Sequence, residues 1–503
     1  MELDIKRLTS IKSPIAFRDR MKELSLDLPI DDSILKSAES PLAKPMDLGG
    51  FKVGNRYCIH PMEGWDATGD GHPTPDLIRR WRRFGESGAK FMWGMEAVAV
   101  RPDGRANPNQ LMAKPDTIGE LVAAAHECLE AHARSFGDAS DVLWGFQLTH
   151  SGRFCRPNDK QKLEPKLVYP HPILNRKFNL PMDYPVMTDD DIRDLIEHYV
   201  EAAILADKAG VPFVDIKQCH GYLGHEFLSA FTRKGAYGGE TLEQRAAFSR
   251  EIISAIRQVA PKLIIGVRLS AFDFVPFKPN PVLASGGHLG PGMPEDYSDA
   301  LPYKYGFGID KANPVQYDLT ETAQYLKLLK SYGVSVVNIS AGSPYYNPHI
   351  QRPALFPPSD GYQPAEDPII NVERQIQVVR NLKKAVPEMP LVSSGLTYLQ
   401  EYLPNVAQAL VRQGWTDFAG LGRMVLSYPR IIADSLENGK LETKFICRTF
   451  SDCTTAPRNG IKSGCFPLDE YYRNSEAGEA VRKYKKEQKE TLKSVQEAAK
   501  ASA

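Results

Sequence analysis

The chain has 503 residues, with 62 Lys+Arg against 62 Asp+Glu, a formal net charge of zero and 42% hydrophobic residues. That composition excludes the disordered and fibrous classes, and the balanced charge, with no basic stripe, removes the electrostatic basis for a nucleic-acid or anionic-membrane partner. The stretch 1–21 mixes Glu2, Asp4, Lys6, Arg7, Lys12 and Arg18 with its apolar residues, which is not a secretory leader. No apolar run nears the roughly 20 residues of a membrane helix. Seven scattered cysteines, an odd number, argue against a disulfide framework and for a reducing compartment, so a cytoplasmic protein is expected.

After a polar, Pro-punctuated lead-in over 1–46, short apolar segments alternate with amphipathic ones eight times. Strands are expected at 56–62, 90–100, 142–150, 213–220, 263–271, 334–341, 390–395 and 417–424, several β-branched and most bounded by Gly or Pro. The acidic run Asp189, Asp190, Asp191 precedes Ile192, Leu195, Ile196, Val200, Ala203 and Ile204, a helical spacing with its acids at the positive end of the helix dipole. The stretches 319–332 and 372–386 also read as helices, the second ending in lysines before Pro387. Eight strand–helix pairs predict an α/β protein, a parallel sheet closed into a single (β/α)8 TIM barrel over 47–440, with an open doubly wound sheet as the alternative. In such a barrel the chemistry belongs at the C-terminal ends of the strands.

Two regions break the rhythm. Segment 272–318, after the fifth strand, is rich in Pro, Gly and aromatics and far longer than an ordinary connection. It reads as a lid over the active face, or equally as a packed surface excursion or oligomer contact. The C-terminal tail, 441–503, carries Cys447, Cys453 and Cys465 and then a charged stretch over 480–503, expected as a solvated helix or frayed end.

The chain lacks the GxxxxGK[ST] phosphate loop, the GxSxG nucleophile elbow and a GxGxxG between strand and helix, so nucleotide hydrolysis and a Rossmann site lose support. His126 and His132 lie about 240° apart round a helix and cannot share a zinc ion. The strand ends carry more. Lys217 and His220 close the fourth strand with Tyr222 just beyond, a set able to polarise a carbonyl and deliver a proton; a local ion-pair network is the plainer reading. Arg268 ends the fifth strand as a fixed cation. Ser393-Ser394-Gly395 and Gly420-Leu421-Gly422-Arg423 end the seventh and eighth, where glycine backbone and a guanidinium suit a phosphate. Turn glycines beside a surface Arg are the alternative there.

These residues resemble the old yellow enzyme family of FMN-dependent NAD(P)H oxidoreductases over about 47–440. The most specific part is His220-Gly221-Tyr222-Leu223, then Phe227-Leu228-Ser229 and Tyr237-Gly238-Gly239. Asn55-Arg56 with Pro61-Met62, Glu96 to Val100 before Gly104-Arg105, and Gly145 to Arg153 look like its other blocks. The resemblance implies that Pro61, Met62 and Ala97 line the flavin, that Gln147 bonds its pyrimidine edge, that Arg268 sits near N1 and the C2 carbonyl, and that Ser394, Gly395, Gly422 and Arg423 hold the FMN phosphate. It implies a flavoprotein ene reductase in which NAD(P)H reduces FMN, hydride passes from N5 to the β-carbon of an electron-poor alkene, and Tyr222 protonates the α-carbon.

Three positions depart from the family pattern. Lys217 with His220 replaces a His/His or His/Asn pair that orients the acceptor. Glu63, beside the flavin, could lower its potential if ionised, donate to C4=O if protonated, or pair with Lys217. The tail resembles a degenerate iron–sulfur segment of 2,4-dienoyl-CoA reductase: Cys453 and Cys465 keep the eleven-residue gap, Cys447 is one position short, and the second cysteine is missing. A lost cluster and no metal are expected, with zinc or a three-Cys cluster as alternatives. Without the nucleotide-binding domains that such relatives append, electrons are expected directly from a nicotinamide or from a separate protein. Amine oxidation or N-demethylation is the rival activity, and a flavin-free binding barrel the non-enzymatic one. The expected partner is a small-molecule substrate, with no nucleic acid and no membrane, and a homo-oligomer stays open.

Overall fold

The computed structural model describes residues 5–501, with side-chain environments to 498. Its central strands lie within the eight expected segments: β1 (Tyr57–Ile59), β2 (Phe91–Met92), β3 (Leu143–Thr149), β4 (Phe213–Ile216), β5 (Ile264–Ser270), β6 (Val336–Ser340), β7 (Leu391–Ser393) and β8 (Phe418–Leu421). Neighbours in the chain pair in parallel, and β8 returns to β1 with Ala419 opposite Tyr57. The sheet is therefore a closed (β/α)8 barrel and has no open edge.

Side chains alternate across each strand, and the inward set changes character along the barrel axis. At the N-terminal end Phe91, Trp93, Phe213, Val336, Val392 and Phe418 form a dry plug, with Phe91 edge-on to Phe213 at 5.3 Å and to Phe418 at 5.6 Å. An antiparallel hairpin, Met46–Leu48 with Phe51–Val53, closes this end by adding Leu48 and Val53 to the plug. Toward the C-terminal end the inward positions become polar: His60, Gln147, Asp215, Arg268, Asn338 and Ser394 are all buried. The apolar plug makes the barrel one packed unit, and the polar layer stands where substrate can reach it.

The helix Asp189–Lys208 starts where its acids predict. Thr188 and Asp191 cap each other's backbone there. The helix expected at 372–386 begins earlier, at Pro368, because Asp367 accepts from the Ile369 N–H and proline suits the first helical position. The second strand also differs from expectation. Segment 90–100 is two pieces, β2 and Ala97–Ala99, and the second pairs separately with β3. Gly94, at φ +97°, and Met95, at φ 48°, reverse the chain between them. A Cβ on Gly94 would stand 2.8 Å from the Gln147 nitrogen, so only glycine fits that approach. The break turns Glu96 inward, where Arg80 donates to it at 2.6 Å and the Gly64 N–H at 3.1 Å. That anchors the loop carrying Glu63.

Segment 272–318 is a packed excursion whose hairpin, Phe277–Pro279 with Gly292–Pro294, brings Phe277 and Pro279 to the cavity wall. The tail lies against the barrel through the Ser463 N–H on the Gly64 carbonyl at 2.7 Å and a two-pronged Arg79–Asp469 pair at 2.9 and 3.0 Å. Its last element is a 26-residue helix, Glu476–Ala501, which returns to the insertion where Gln496 accepts from the Gly287 N–H at 3.0 Å. Residues 502–503 lie outside the described residues. Among the described residues no helix is long and apolar enough to cross a membrane.

Candidate active site

One cavity of about 720 Å³ opens at the C-terminal ends of the strands. It brings together the catalytic and flavin residues expected from the sequence: Lys217, His220 and Tyr222; Pro61, Met62, Glu63 and Ala97; Gln147 and Arg268; and Ser394, Gly395, Gly422 and Arg423.

Asp215 organises the floor. It accepts from Trp93 Nε1 at 2.7 Å, from Gln147 Nε2 at 2.5 Å and from the Arg268 backbone N–H at 2.7 Å. Burial pushes its carboxyl up to about 6 even so. A raised folded value for an acid means that stability is lost as pH rises from the unfolded value of about 4 to the folded one. The shift of about two units is worth about 3 kcal/mol. The stability advantage of the wild type over Asp215→Asn should therefore shrink by about 3 kcal/mol between pH 4 and pH 7 in denaturant titrations; a constant difference would show that Asp215 is ionised without penalty.

Beside it, His60 bonds Asn338 through Nδ1 at 3.0 Å and Ser394 through Nε2 at 3.2 Å. Burial and the Arg268 charge hold His60 well below its usual value, so it is a neutral ring. Gly420 faces it, and a Cβ there would stand 2.2 Å from the imidazole. Arg268 itself is buried, and its Nε has no hydrogen-bond partner among the described residues.

The rim settles the question of Glu63. Lys217 Nζ lies 3.2 Å from Glu63 Oε1, both partners largely buried, and 4.0 Å from the centre of the Tyr222 ring. The ammonium is thus fixed between a carboxylate and a π face. The Tyr222 hydroxyl meets that of Tyr345 at 2.8 Å. Burial, then the Glu63 charge, holds the Tyr222 phenol well above its usual range, so it keeps its proton at neutral pH. His220 sits at φ +66°, the turn that ends β4. Its backbone N–H donates to Ser270 Oγ at 2.9 Å, and its Nε2 meets Ser340 Oγ at 2.9 Å and Gln351 Nε2 at 3.3 Å. Burial and the Arg268 and Lys217 charges hold it neutral.

Beyond His60, Ser394, Gly395 and Gly422 line the wall with Arg423, which donates to the Pro353 carbonyl at 3.1 Å. Arg352 joins them. Burial and the neighbouring Arg423 lower it to about 9, and its Nη2 is out of contact with solvent and unpartnered among the described residues. Sequence reasoning missed Arg352, Tyr345 and Gln351, which come from the aperiodic, Pro-rich stretch 342–367, and Arg156, from the loop after β3. Charged and aromatic residues shortly after a barrel strand are the signal that was available. The tail adds Cys453, Thr454 and Arg458 to the wall. Cys447, Cys453 and Cys465 are free thiols, and among the described residues no group of three His, Cys, Asp or Glu side chains is arranged to hold a metal. His132 bonds the Gly85 carbonyl at 3.0 Å, a structural role.

A closed parallel barrel with an anion end and a polar floor defines a class, the phosphate-cofactor barrels, and comparison narrows it. Residues 41–280 match the model of the NADH:flavin oxidoreductase / NADH oxidase family. An NADPH dehydrogenase of Bacillus pumilus is 31% identical over 242 residues, 47% of this chain and 65% of that protein. The match thus spans less than two thirds of that relative. An NADPH dehydrogenase of a Geobacillus species is 26% identical over 402 residues, 78% of this chain and 92% of that protein. The solved complex of 2-naphthoyl-CoA reductase with 2-naphthoyl-CoA superposes with a TM-score of 0.62 at 18% identity, over 86% of this chain and 57% of that one, a likeness of fold. The family-model match, over just under half of the chain, and these NADPH dehydrogenase relatives support placing the barrel with the NADH:flavin oxidoreductase / NADH oxidase family.

The cavity fits FMN, the cofactor that the matched family implies. Two buried guanidinium donors, Arg268 Nε and Arg352 Nη2, point to a missing anionic or carbonyl partner. Gly395, at φ +82°, and Gly422 present bare backbone, and a Cβ built on Gly422 would meet no protein atom closer than 3.9 Å. Those features line one cavity, as a ring system and its phosphate require.

Proposed function

We propose that this chain is an FMN-dependent NAD(P)H oxidoreductase of the old yellow enzyme type that reduces an activated C=C bond. In balance, NAD(P)H, a proton and the alkene become NAD(P)⁺ and the saturated product. FMN, when bound, supplies the two-electron relay between nicotinamide and acceptor. Arg352, Arg423, Ser394, Gly395 and Gly422 would hold its phosphate. Pro61, Met62 and Ala97 would flank the ring, and Gln147 and Arg268 would meet its polar edge. Glu63 acts through Lys217.

The observation that carries the reading is Tyr222. It is a neutral, 5% exposed phenol on the wall shared with Arg268 and Gln147, bonded to a second phenol able to resupply its proton. Neutral His220 would orient the acceptor by exchanging its Nε2 contacts with Ser340 and Gln351, and Lys217, held by Glu63, fixes the Tyr222 ring beneath its charge. Amine oxidation would call on a free carboxylate for the cationic amine, and Glu63 is committed to Lys217. Seven free thiols favour a reducing, cytoplasmic setting. The barrel over 47–440 would be the flavin unit, with 1–46 and 441–503 as flanking segments.

The test is the absorbance spectrum of protein purified without added cofactor, followed by heating and identification of what is released. A flavin spectrum with free FMN, and NADPH oxidation that depends on added enone without oxygen, is the expected result. A colourless protein that ignores added FMN overturns the reading.

A further inference from the structure

Eight Lys and Arg residues line the cavity against two carboxylates, Glu63 and Asp360. Three of the cations have acid partners: Lys217 with Glu63 at 3.2 Å, Arg458 with Asp360 at 3.1 Å and Lys177 with Glu295 at 3.1 Å. Five have no carboxylate within 4.0 Å among the described residues: Arg156, Lys160, Arg268, Arg352 and Arg423. Uncompensated cations on a half-buried wall are costly unless a ligand neutralises them. The flavin reading uses three, Arg352 and Arg423 for a dianionic phosphate and Arg268 for the ring edge. Arg156 and Lys160 remain.

Both sit on the loop after β3 and are half-buried. The Arg156 guanidinium stands 5.6 Å from the centre of the Tyr345 ring, which is stacked on Phe154 at 4.0 Å and 15°. Tyr345 in turn bonds Tyr222. Among the described residues the Arg156 side chain bonds only the Phe154 carbonyl, at 3.4 Å, and Lys160 reaches the Gly460 carbonyl at 3.3 Å. Burial lowers the Lys160 ammonium below its usual value, a penalty that a bound anion would reverse. Arg156 therefore stands beside the phenol pair, and Lys160, four residues further along the same loop, lines the same cavity, each with its donors largely unspent among the described residues.

We propose that Arg156 and Lys160 form an oxyanion subsite that binds the carboxylate of the acceptor, making the substrate an unsaturated acid or another alkene that carries a carboxylate near the reacting carbons. This rests on the reading of the cavity as a flavin site, which assigns the other three cations. A nicotinamide dinucleotide phosphate is the second source of an oxyanion, and the test separates them.

Benzoate and its neutral counterpart benzamide, neither reducible here, are titrated by calorimetry into the purified protein, wild type and variants. Benzoate should bind and weaken with added salt. Arg156→Gln and Lys160→Gln should each weaken it about tenfold, the double variant about a hundredfold, with benzamide unchanged and Arg156→Lys retaining part of the affinity. Equal effects on benzoate and benzamide, or none on benzoate, overturn the proposal. So does a selective loss of NADPH over NADH affinity with benzoate intact, which would give the subsite to the nucleotide. Heat is read, not colour, so a flavin-free protein would sink the redox reading while these titrations still decide the subsite.

Discussion

Tyr222→Phe is expected to slow reduction of an enone acceptor by about a hundredfold to ten-thousandfold, the usual worth of a placed general acid. Reduction of the bound flavin by NADPH should stay within about twofold, because no proton from Tyr222 enters that half-reaction. The two half-reactions are separable by rapid mixing without oxygen. The substitution removes one hydroxyl whose partner, Tyr345, lies on a cavity wall, so the ring packing against Phe154 survives. Held well above its usual range, the phenol stays protonated throughout neutral pH, and the wild-type acceptor rate should show no loss from its ionisation between pH 6 and pH 8. Equal loss in both half-reactions would mean that Tyr222 shapes the cavity and donates no proton.

Period and punctuation made the barrel legible, because a β-branched segment ended by Gly or Pro leaves little choice of conformation. The break in the second strand was not legible. Its cause is the Gly94 backbone resting against Gln147, a contact between segments 53 residues apart that neither segment shows alone. The site divides the same way. Lys217, His220, Tyr222, Arg268 and Arg423 stand at strand ends, where fold alone fixes which way they face. Tyr345, Arg352 and Arg156 lie on irregular loops, where position depends on tertiary bonds such as His220 with Gln351. The ion pair of Glu63 with Lys217 was one of three readings open in the sequence, and 3.2 Å selects it.

Arg423→Ala should weaken FMN binding by about a hundredfold, about 3 kcal/mol, the order of a charge-assisted two-pronged phosphate contact. The assignment rests on three features that meet at one end of the cavity: the Ser394-Gly395 turn, the open backbone at Gly422, and the paired guanidinium groups of Arg423 and Arg352. Burial, then the neighbouring Arg423 charge, lowers Arg352 to about 9, and a dianion between the two guanidinium groups would relieve that penalty. Removing Arg423 relieves the like-charge part of it, so Arg423→Ala should gain stability without FMN while losing affinity for it. A variant with no bearing on phosphate would do neither. Flavin content after gel filtration reads the affinity, and thermal unfolding of flavin-stripped protein reads the relief. Arg423→Lys should keep the charge and lose the fork, and fall between the two. Full flavin content in Arg423→Ala would move the phosphate away from this end, and with it the orientation of the ring toward Tyr222.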